Sequence, residues 1–186
     1  MEYAGFWRRF GAMWLDLLVL SPLMYIAYLG SDNFRLFHLY YFIPGTLFNI
    51  WFAVYLVKRF GGTPGKLLMK IKITKLDFSQ VEYKEAILRD IVNIIFSILL
   101  SVSSIIVVLN MTDNLYFSMD FLERATYQQE NMPSWATIVS LLFNIWVWSE
   151  FIVMLTNKRR RALHDFIAGT VVIRTSIPKE ENIQNT

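Results

Sequence analysis

Apolar residues fall into four long runs, roughly Phe10 to Leu29, Leu39 to Val57, Ile91 to Leu109 and Trp135 to Leu155. Each is close to the ~20 residues that an α-helix needs to cross the hydrocarbon core of a bilayer. Pro22 and Pro44 lie inside the first two runs. Neighbouring helices can satisfy the backbone groups that proline frees, so kinks are expected there rather than breaks. Outside the runs the pattern changes. Lys70 and Lys72 alternate with Ile71 and Ile73, the period of two that marks a one-sided strand. Later, Gly169 stops a short helical turn ahead of the β-branched Val171, Val172 and Ile173, which read as a second strand. The two strands are expected to pair as a small patch, marginal without further packing. The predicted fold is an all-α integral membrane protein: a four-transmembrane-helix bundle with a β patch formed by the loop between helices two and three and the C-terminal tail. It makes a single domain over residues 1–175, with a polar tail at 176–186.

Composition supports a membrane setting. The chain is 55% hydrophobic, 16% aromatic and only 18% charged, too apolar for an ordinary soluble domain of 186 residues. Two arginines ahead of the first run suggest a signal peptide, but Asp16 interrupts the run and no small-residue cleavage site follows convincingly. An uncleaved first helix is expected. There is no cysteine, which excludes disulfides, thiolate metal sites and thiol nucleophiles.

Charge sets the orientation. Four spans put the N-terminus, the loop from Lys58 to Arg89 and the C-terminal tail on one side, with the loops Gly30 to His38 and Asn110 to Ser134 opposite. Of the 18 Lys and Arg residues, all but Arg35 and Arg124 fall on the first side. The positive-inside rule makes that side cytoplasmic, so both termini are expected inside, in a plasma or inner membrane. The net charge of +3 is dispersed among the runs instead of forming a tail or stripe, which argues against nucleic acid as a partner.

The polar residues within or near the runs gather toward the cytoplasmic side. Arg9 and Asp16 are two helical turns apart, roughly 10 Å along the axis, on nearly one face but too distant for a direct pair. Topology puts Asp90 and Asn93 at the start of helix three and Glu150 near the end of helix four, so these five residues could meet in one inner-leaflet layer. Two readings stay open. The layer is a proton or cation site in which carboxylates exchange a proton for an ion, or it holds the bundle together through interhelical hydrogen bonds.

The segment Gly61-Gly62-Thr63-Pro64-Gly65-Lys66 invites comparison with a phosphate-binding loop. Its glycine spacing is one residue short, and Leu67 stands where the magnesium-binding hydroxyl would be. It reads instead as a sharp turn ending helix two, with Lys66 anchored to lipid headgroups. His164 and Asp165 in the tail could be a relay or metal pair, but the only other histidine, His38, lies on the opposite side. No metal site and no cofactor are expected. Asp165 is expected to pin the tail against nearby arginines. Trp135, Trp146, Trp148, Tyr40 and Tyr41 read as lipid-facing or interfacial anchors.

Three stretches together resemble the RDD family. They are Tyr-Ala-Gly-Phe-Trp-Arg-Arg-Phe-Gly-Ala-Met-Trp-Leu-Asp at 3–16, the Gly-Gly-Thr-Pro-Gly-Lys segment at 61–66, and Arg-Ala-Leu-His-Asp-Phe-Ile-Ala-Gly-Thr at 161–170. The family is named for one arginine and two aspartates. The resemblance assigns the arginine to Arg9 and the first aspartate to Asp16; the second is Asp165, with Asp90 as the alternative. The resemblance implies transport of ions or small ligands, with sodium/proton antiport proposed for some members. It does not explain the long loop from Asn110 to Ser134. The expected function is transport of a cation or small polar solute coupled to protons. The alternative is a regulatory or scaffolding protein that binds a partner through its cytoplasmic face. Neither is an enzyme, since no set of nucleophile, base and orienting group is apparent. Besides the lipid bilayer, the expected partners are further copies of the chain or another membrane protein.

Overall fold

The structure is a computed structural model that describes residues 2–175; the polar tail at 176–186 lies outside the described residues. Helix α1 (Phe6–Asn33) is followed by α2 (Phe37–Ile50), which continues through a π-helical turn (Trp51–Tyr55) into α3 (Leu56–Phe60). The short α4 (Pro64–Leu68) leads into β1 (Ile71–Lys75) and the long α5 (Tyr83–Asn110). Two short helices come next, α6 (Asp113–Phe117) and α7 (Phe121–Glu130), before α8 (Ser134–Thr156), α9 (Leu163–Ala168) and β2 (Thr170–Arg174).

Four helical stretches are long and apolar enough to cross a membrane, one for each predicted run. Leu18, Ile26, Ile43, Leu141 and Leu155 each expose more than 60% of their surface. In water that would be an uncovered patch; in a bilayer it is the lipid contact the helices need. Helices α1 and α2 pass through Pro22 and Pro44 without a break, as expected. Helices α1 and α5 start ahead of their apolar runs, at Phe6 and Tyr83. At the start of α5 the Glu85 side chain reaches back to accept from the Glu82 backbone amide at 3.0 Å, which supports the helix from Tyr83 onward.

The two strands do pair. They run antiparallel with Ile71 opposite Arg174, Ile73 opposite Val172 and Lys75 opposite Thr170. The alternation read in the sequence holds for β1, where Ile71 and Ile73 are fully buried and Lys72 is not. The packing that such a ribbon needs comes from the N-terminal segment. Tyr3 bridges Ile173 along the free edge of β2, and the Ala4 amide donates to the Val172 carbonyl at 2.9 Å. Ala4, Ile71, Ile73 and Val172 share one buried cluster with Ala12, Val54 and Val57 of the helices, so the ribbon is part of the main core.

At the other end, the loop from Asn110 to Ser134 is not an open connection. Thr112 and Asp120 cap α6 and α7. Tyr116, fully buried, donates its hydroxyl to the Ser31 carbonyl at 2.7 Å. Arg35 pairs with Asp113, and Arg124 pairs with Asp32. The two arginines of this end are thus spent fastening α6 and α7 to the turn between α1 and α2.

Candidate functional site

The densest polar cluster lies where the start of α1, the start of α5 and the tail converge. Asp165 stands at its centre, fully buried at the first turn of α9. Its Oδ2 accepts from Arg9 Nη1 at 2.8 Å and from the Ala162 backbone amide at 3.0 Å. Its Oδ1 accepts from Arg89 Nη1 and from the Thr170 hydroxyl, the latter at 3.1 Å. Arg89 also donates to the Thr170 hydroxyl at 2.9 Å, and Arg9 Nη2 donates to the Arg160 carbonyl at 2.7 Å. Arg161 closes the far side, bonding the carbonyls of Thr170 and Asp165 at 2.9 and 2.7 Å. Burial alone would raise the pKa of Asp165, but Arg89 and Arg9 beside it hold the carboxyl well below the usual carboxylate range. The expectation that Asp165 pins the tail against arginines agrees with this geometry.

Gly169, at a φ of 66°, ends α9 and turns the chain into β2, which brings Thr170 back onto Asp165. Beside this centre, Glu150 of α8 reaches α9. Its Oε1 accepts from the His164 amide at 3.0 Å, and its Oε2 lies 2.6 Å from His164 Nδ1. Burial and the nearby Arg89 push the His164 pKa down, so the imidazole is neutral at neutral pH.

Asp16 belongs to a second cluster. Its carboxylate accepts from the Thr63 hydroxyl at 2.6 Å and from the Gly65 amide at 2.7 Å. The glycines read as a turn do that work. Gly61 adopts a φ of 80° at the end of α3, Gly62 follows, and Pro64 opens α4. Gly65 lies so close to α1 that an added Cβ would strike the Ala12 carbonyl and come within 2.9 Å of the Asp16 carboxyl carbon. Lys66 departs from the lipid-anchor reading: it is half-buried, and its Nζ turns inward to the Thr63 hydroxyl at 3.3 Å.

Asp90 and Asn93 form a third cluster. Asn93 donates to Asp90 at 3.1 Å and accepts from the Trp146 indole at 3.1 Å. Trp146 is therefore an interhelical donor and not a lipid-facing anchor, whereas Trp148 and Tyr40 are both more than 60% exposed. So Arg9, Asp16, Asp90, Asn93 and Glu150 are distributed over three neighbouring hydrogen-bond clusters, each with partners of its own. Arg89, Thr63, Thr170 and Arg161 were not among the residues singled out in the sequence. No group of His, Asp and Glu that could hold a metal ion is found among the described residues.

Deeper in the bundle, α1, α2 and α5 leave a cavity of about 630 Å³. Apolar side chains form much of its wall, and the polar groups facing it are His38, Thr46 and Asn49 from α2 with Ser97, Ser101 and Ser104 from α5.

Four helices long and apolar enough to cross a membrane, two of them joined at one end through the buried ion pairs of Arg9 and Arg89 with Asp165, define a helical membrane protein. The RDD family model matches residues 3–169, and the chain belongs to the RDD family. Comparison with curated proteins and with solved structures gives no match.

Proposed function

We propose that this chain is a carrier, or a subunit of one, that moves a cation or small polar solute in exchange for protons. It sits in the cell membrane with both termini and the β ribbon on the cytoplasmic side. The orientation rests on the placement of Lys and Arg described above. The carrier reading rests chiefly on the cavity between α1, α2 and α5, which puts hydroxyl, amide and imidazole groups where lipid-facing helices would otherwise pack on apolar side chains.

The polar wall continues along α5. Asp90, Asn93, Ser97, Ser101 and Ser104 are spaced by three or four residues and share one helix face over roughly 20 Å. That face joins the cavity to the charged end of the bundle. Asp16 and Asp165 each accept two or more hydrogen bonds, whereas Asp90 and Glu150 each accept one, from Asn93 and from the His164 amide, which suits these two best to proton exchange. Four helices provide little wall for a complete pathway, so assembly of several copies is part of the proposal. No reaction and no cofactor is assigned.

The test is flux in liposomes containing the purified protein, read with an internal pH dye while a sodium or potassium gradient is imposed. Wild type should couple cation flux to proton flux. Asn49→Leu and Ser101→Leu should abolish the flux while leaving the unfolding temperature near wild type. Wild-type liposomes that move neither ion, or leucine variants that transport normally, would defeat the carrier reading. A second reading, partner binding through the cytoplasmic face, is favoured by Leu68, which is 63% exposed in the short α4 beside the exposed Lys70. Crosslinking in native membranes that captures a stoichiometric protein at Leu68 would support it.

A further inference from the structure

The run Lys158-Arg159-Arg160-Arg161 lies in the turn between α8 and α9, and its four cations part ways. Arg161 is buried and bonds the carbonyls of Thr170 and Asp165. Lys158, Arg159 and Arg160 are exposed, and none of the three has a carboxylate partner among the described residues. The backbone that presents them is fixed. The Asn157 side chain donates to the carbonyls of Val153 and Arg161 and accepts from the Arg161 amide at 2.8 Å. The Arg160 amide donates to the Asn157 carbonyl at 3.0 Å, and the Arg160 carbonyl accepts from Arg9 Nη2 at 2.7 Å. The turn is thus set before any ligand arrives, which lowers the cost of ordering it on binding.

Position explains two of the three charges. Lys158 and Arg159 follow the last turn of α8, where cations oppose the partial negative charge of a helix C-terminus. Arg160 has no such reason. Its guanidinium lies against Gly5, so close that a Cβ built there would stand 2.5 Å from Nη1. Gly5 begins α1, whose first turn carries no acidic residue, so a cation is set against the partly positive end of a helix. Three exposed cations in one turn, one of them at a place that repels it, call for an anion. The surroundings say which kind. Trp7, two residues beyond Gly5, exposes 77% of its surface, as a tryptophan at the headgroup level does. On α8, Trp148, Ile152 and Leu155 are exposed at spacings of four and three residues, one apolar stripe that ends at the cationic turn. Phe6 and Phe151 join that stripe to Trp7, with ring centroids 5.2 Å apart for Phe6 and Trp7 and 5.9 Å for Phe6 and Phe151. An apolar length that leads to a cationic end is the complement of a phospholipid.

We propose that the turn from Asn157 to Arg161 is a headgroup site for an anionic phospholipid, its phosphate on Arg160 and its acyl chains along Trp148, Ile152 and Leu155. The fork of N–H donors on Arg160 meets two phosphate oxygens at once, and Lys158 and Arg159 add charge around the head. A zwitterionic lipid offers the same phosphate but brings a quaternary ammonium that three cations repel, so the site selects for net negative charge. Soluble phosphate lacks the chains that cover the stripe. The site shares no residue with the cavity between α1, α2 and α5, and it stands whether or not that cavity carries a solute.

Native mass spectrometry tests this on the full chain, taken from liposomes of equal phosphatidylglycerol and phosphatidylcholine with matched acyl chains into a neutral detergent. Wild type should retain one phosphatidylglycerol about tenfold more often than phosphatidylcholine, since each of three cations favours an anionic head. Arg160→Gln should lower that preference about fivefold. Gly5→Ala keeps every charge but displaces the Arg160 guanidinium, and should lower it to the same degree. Arg59→Gln, which removes an exposed cation from α3, should leave it unchanged. Excess inorganic phosphate should not displace the lipid. Equal retention of the two lipids, a preference that falls as far in Arg59→Gln as in Arg160→Gln, wild-type retention in Gly5→Ala, or displacement by inorganic phosphate would each overturn the proposal. Should Gly5→Ala fail to fold, Arg160→Gln against Arg59→Gln decides it.

Discussion

Arg9 Nη1 donates to Asp165 Oδ2 at 2.8 Å, a bond between positions 156 residues apart. The first helix and the last short one are thereby joined in a single buried contact, which Arg89 of α5 shares through the other carboxylate oxygen. One aspartate therefore organises three elements. Two guanidinium groups with 9% and 12% of their side chains exposed depend on it for neutralisation.

Removing that charge should be costly. Asp165→Asn keeps the shape but strands Arg9 and Arg89, and breaking a buried pair costs on the order of 3–5 kcal/mol. The expected result is a large fall in the thermal unfolding temperature in nanodiscs. Proteolysis should also become rapid at the β ribbon, because Thr170 loses its anchor. An unfolding temperature within 2 °C of wild type would show that the cluster does not hold the fold.

The same centre gives the protein a directional pH dependence. Asp165 has a folded pKa below its unfolded one, so its contribution is complete above about pH 4 and is lost as pH falls through and below that range. His164 acts in the same direction at higher pH. An unfolded imidazole takes a proton near pH 6.5, whereas the buried ring resists it, so acidification from about 6.5 favours the unfolded chain. Unfolding temperatures measured from pH 8 to pH 3 should be level at first, decline from about 6.5 and drop again below about 4. His164→Gln should remove the first decline and leave the second.

How much of this could be read from the sequence depends on what each feature has to satisfy. The four spans were legible because a bilayer demands length and apolarity in one place, and both are visible in linear sequence. The β ribbon was legible in β1, where Lys70 to Ile73 alternate, but not in the third segment that covers it, since Tyr3 and Ala4 carry no strand pattern. Asp165 was recognisable beside a histidine in a compact tail motif. Arg89 was not, because a lysine or arginine just ahead of an apolar run already has an explanation in the positive-inside rule. The pair Glu82 and Glu85 was the available signal: the Glu85 side chain caps the Glu82 amide, and α5 starts early enough to put Arg89 inside the helix and on its buried side. Thr63 and Thr170 lie inside the family-like stretches, but their partners were not legible, since a hydroxyl finds its carboxylate only in three dimensions.

Gly65 supplies a test of how α4 docks. The short helix approaches α1 so closely that Gly65 donates its amide to Asp16 at 2.7 Å, and a methyl group there would meet the Ala12 carbonyl. Gly65→Ala should push α4 away, break the bond to Asp16 and cost about 1–3 kcal/mol by overpacking. Hydrogen exchange should rise at the Gly65 amide and through Pro64–Leu68, while the far end around Tyr116 stays protected. Unchanged exchange in α4 would mean that the contact with α1 is looser than the distances imply.

Orientation can be tested directly because the chain has no cysteine of its own. Lys and Arg near the cytoplasmic leaflet are each favoured by about 1 kcal/mol at an anionic surface, and the end that carries the β ribbon holds nearly all of them. The opposite end is poorer in free positive charge than its two arginines suggest, since Arg35 and Arg124 are paired with Asp113 and Asp32. Leu76→Cys, at the end of the ribbon, and Asn114→Cys, in α6, place single exposed thiols at the two ends. An impermeant maleimide added to intact cells should label Asn114→Cys at once and reach Leu76→Cys only after permeabilisation. The reverse pattern would put the charged cluster outside and remove the basis for proton exchange with the cytoplasm. Equal labelling of both in intact cells would mean that the chain inserts in two orientations despite its charge asymmetry.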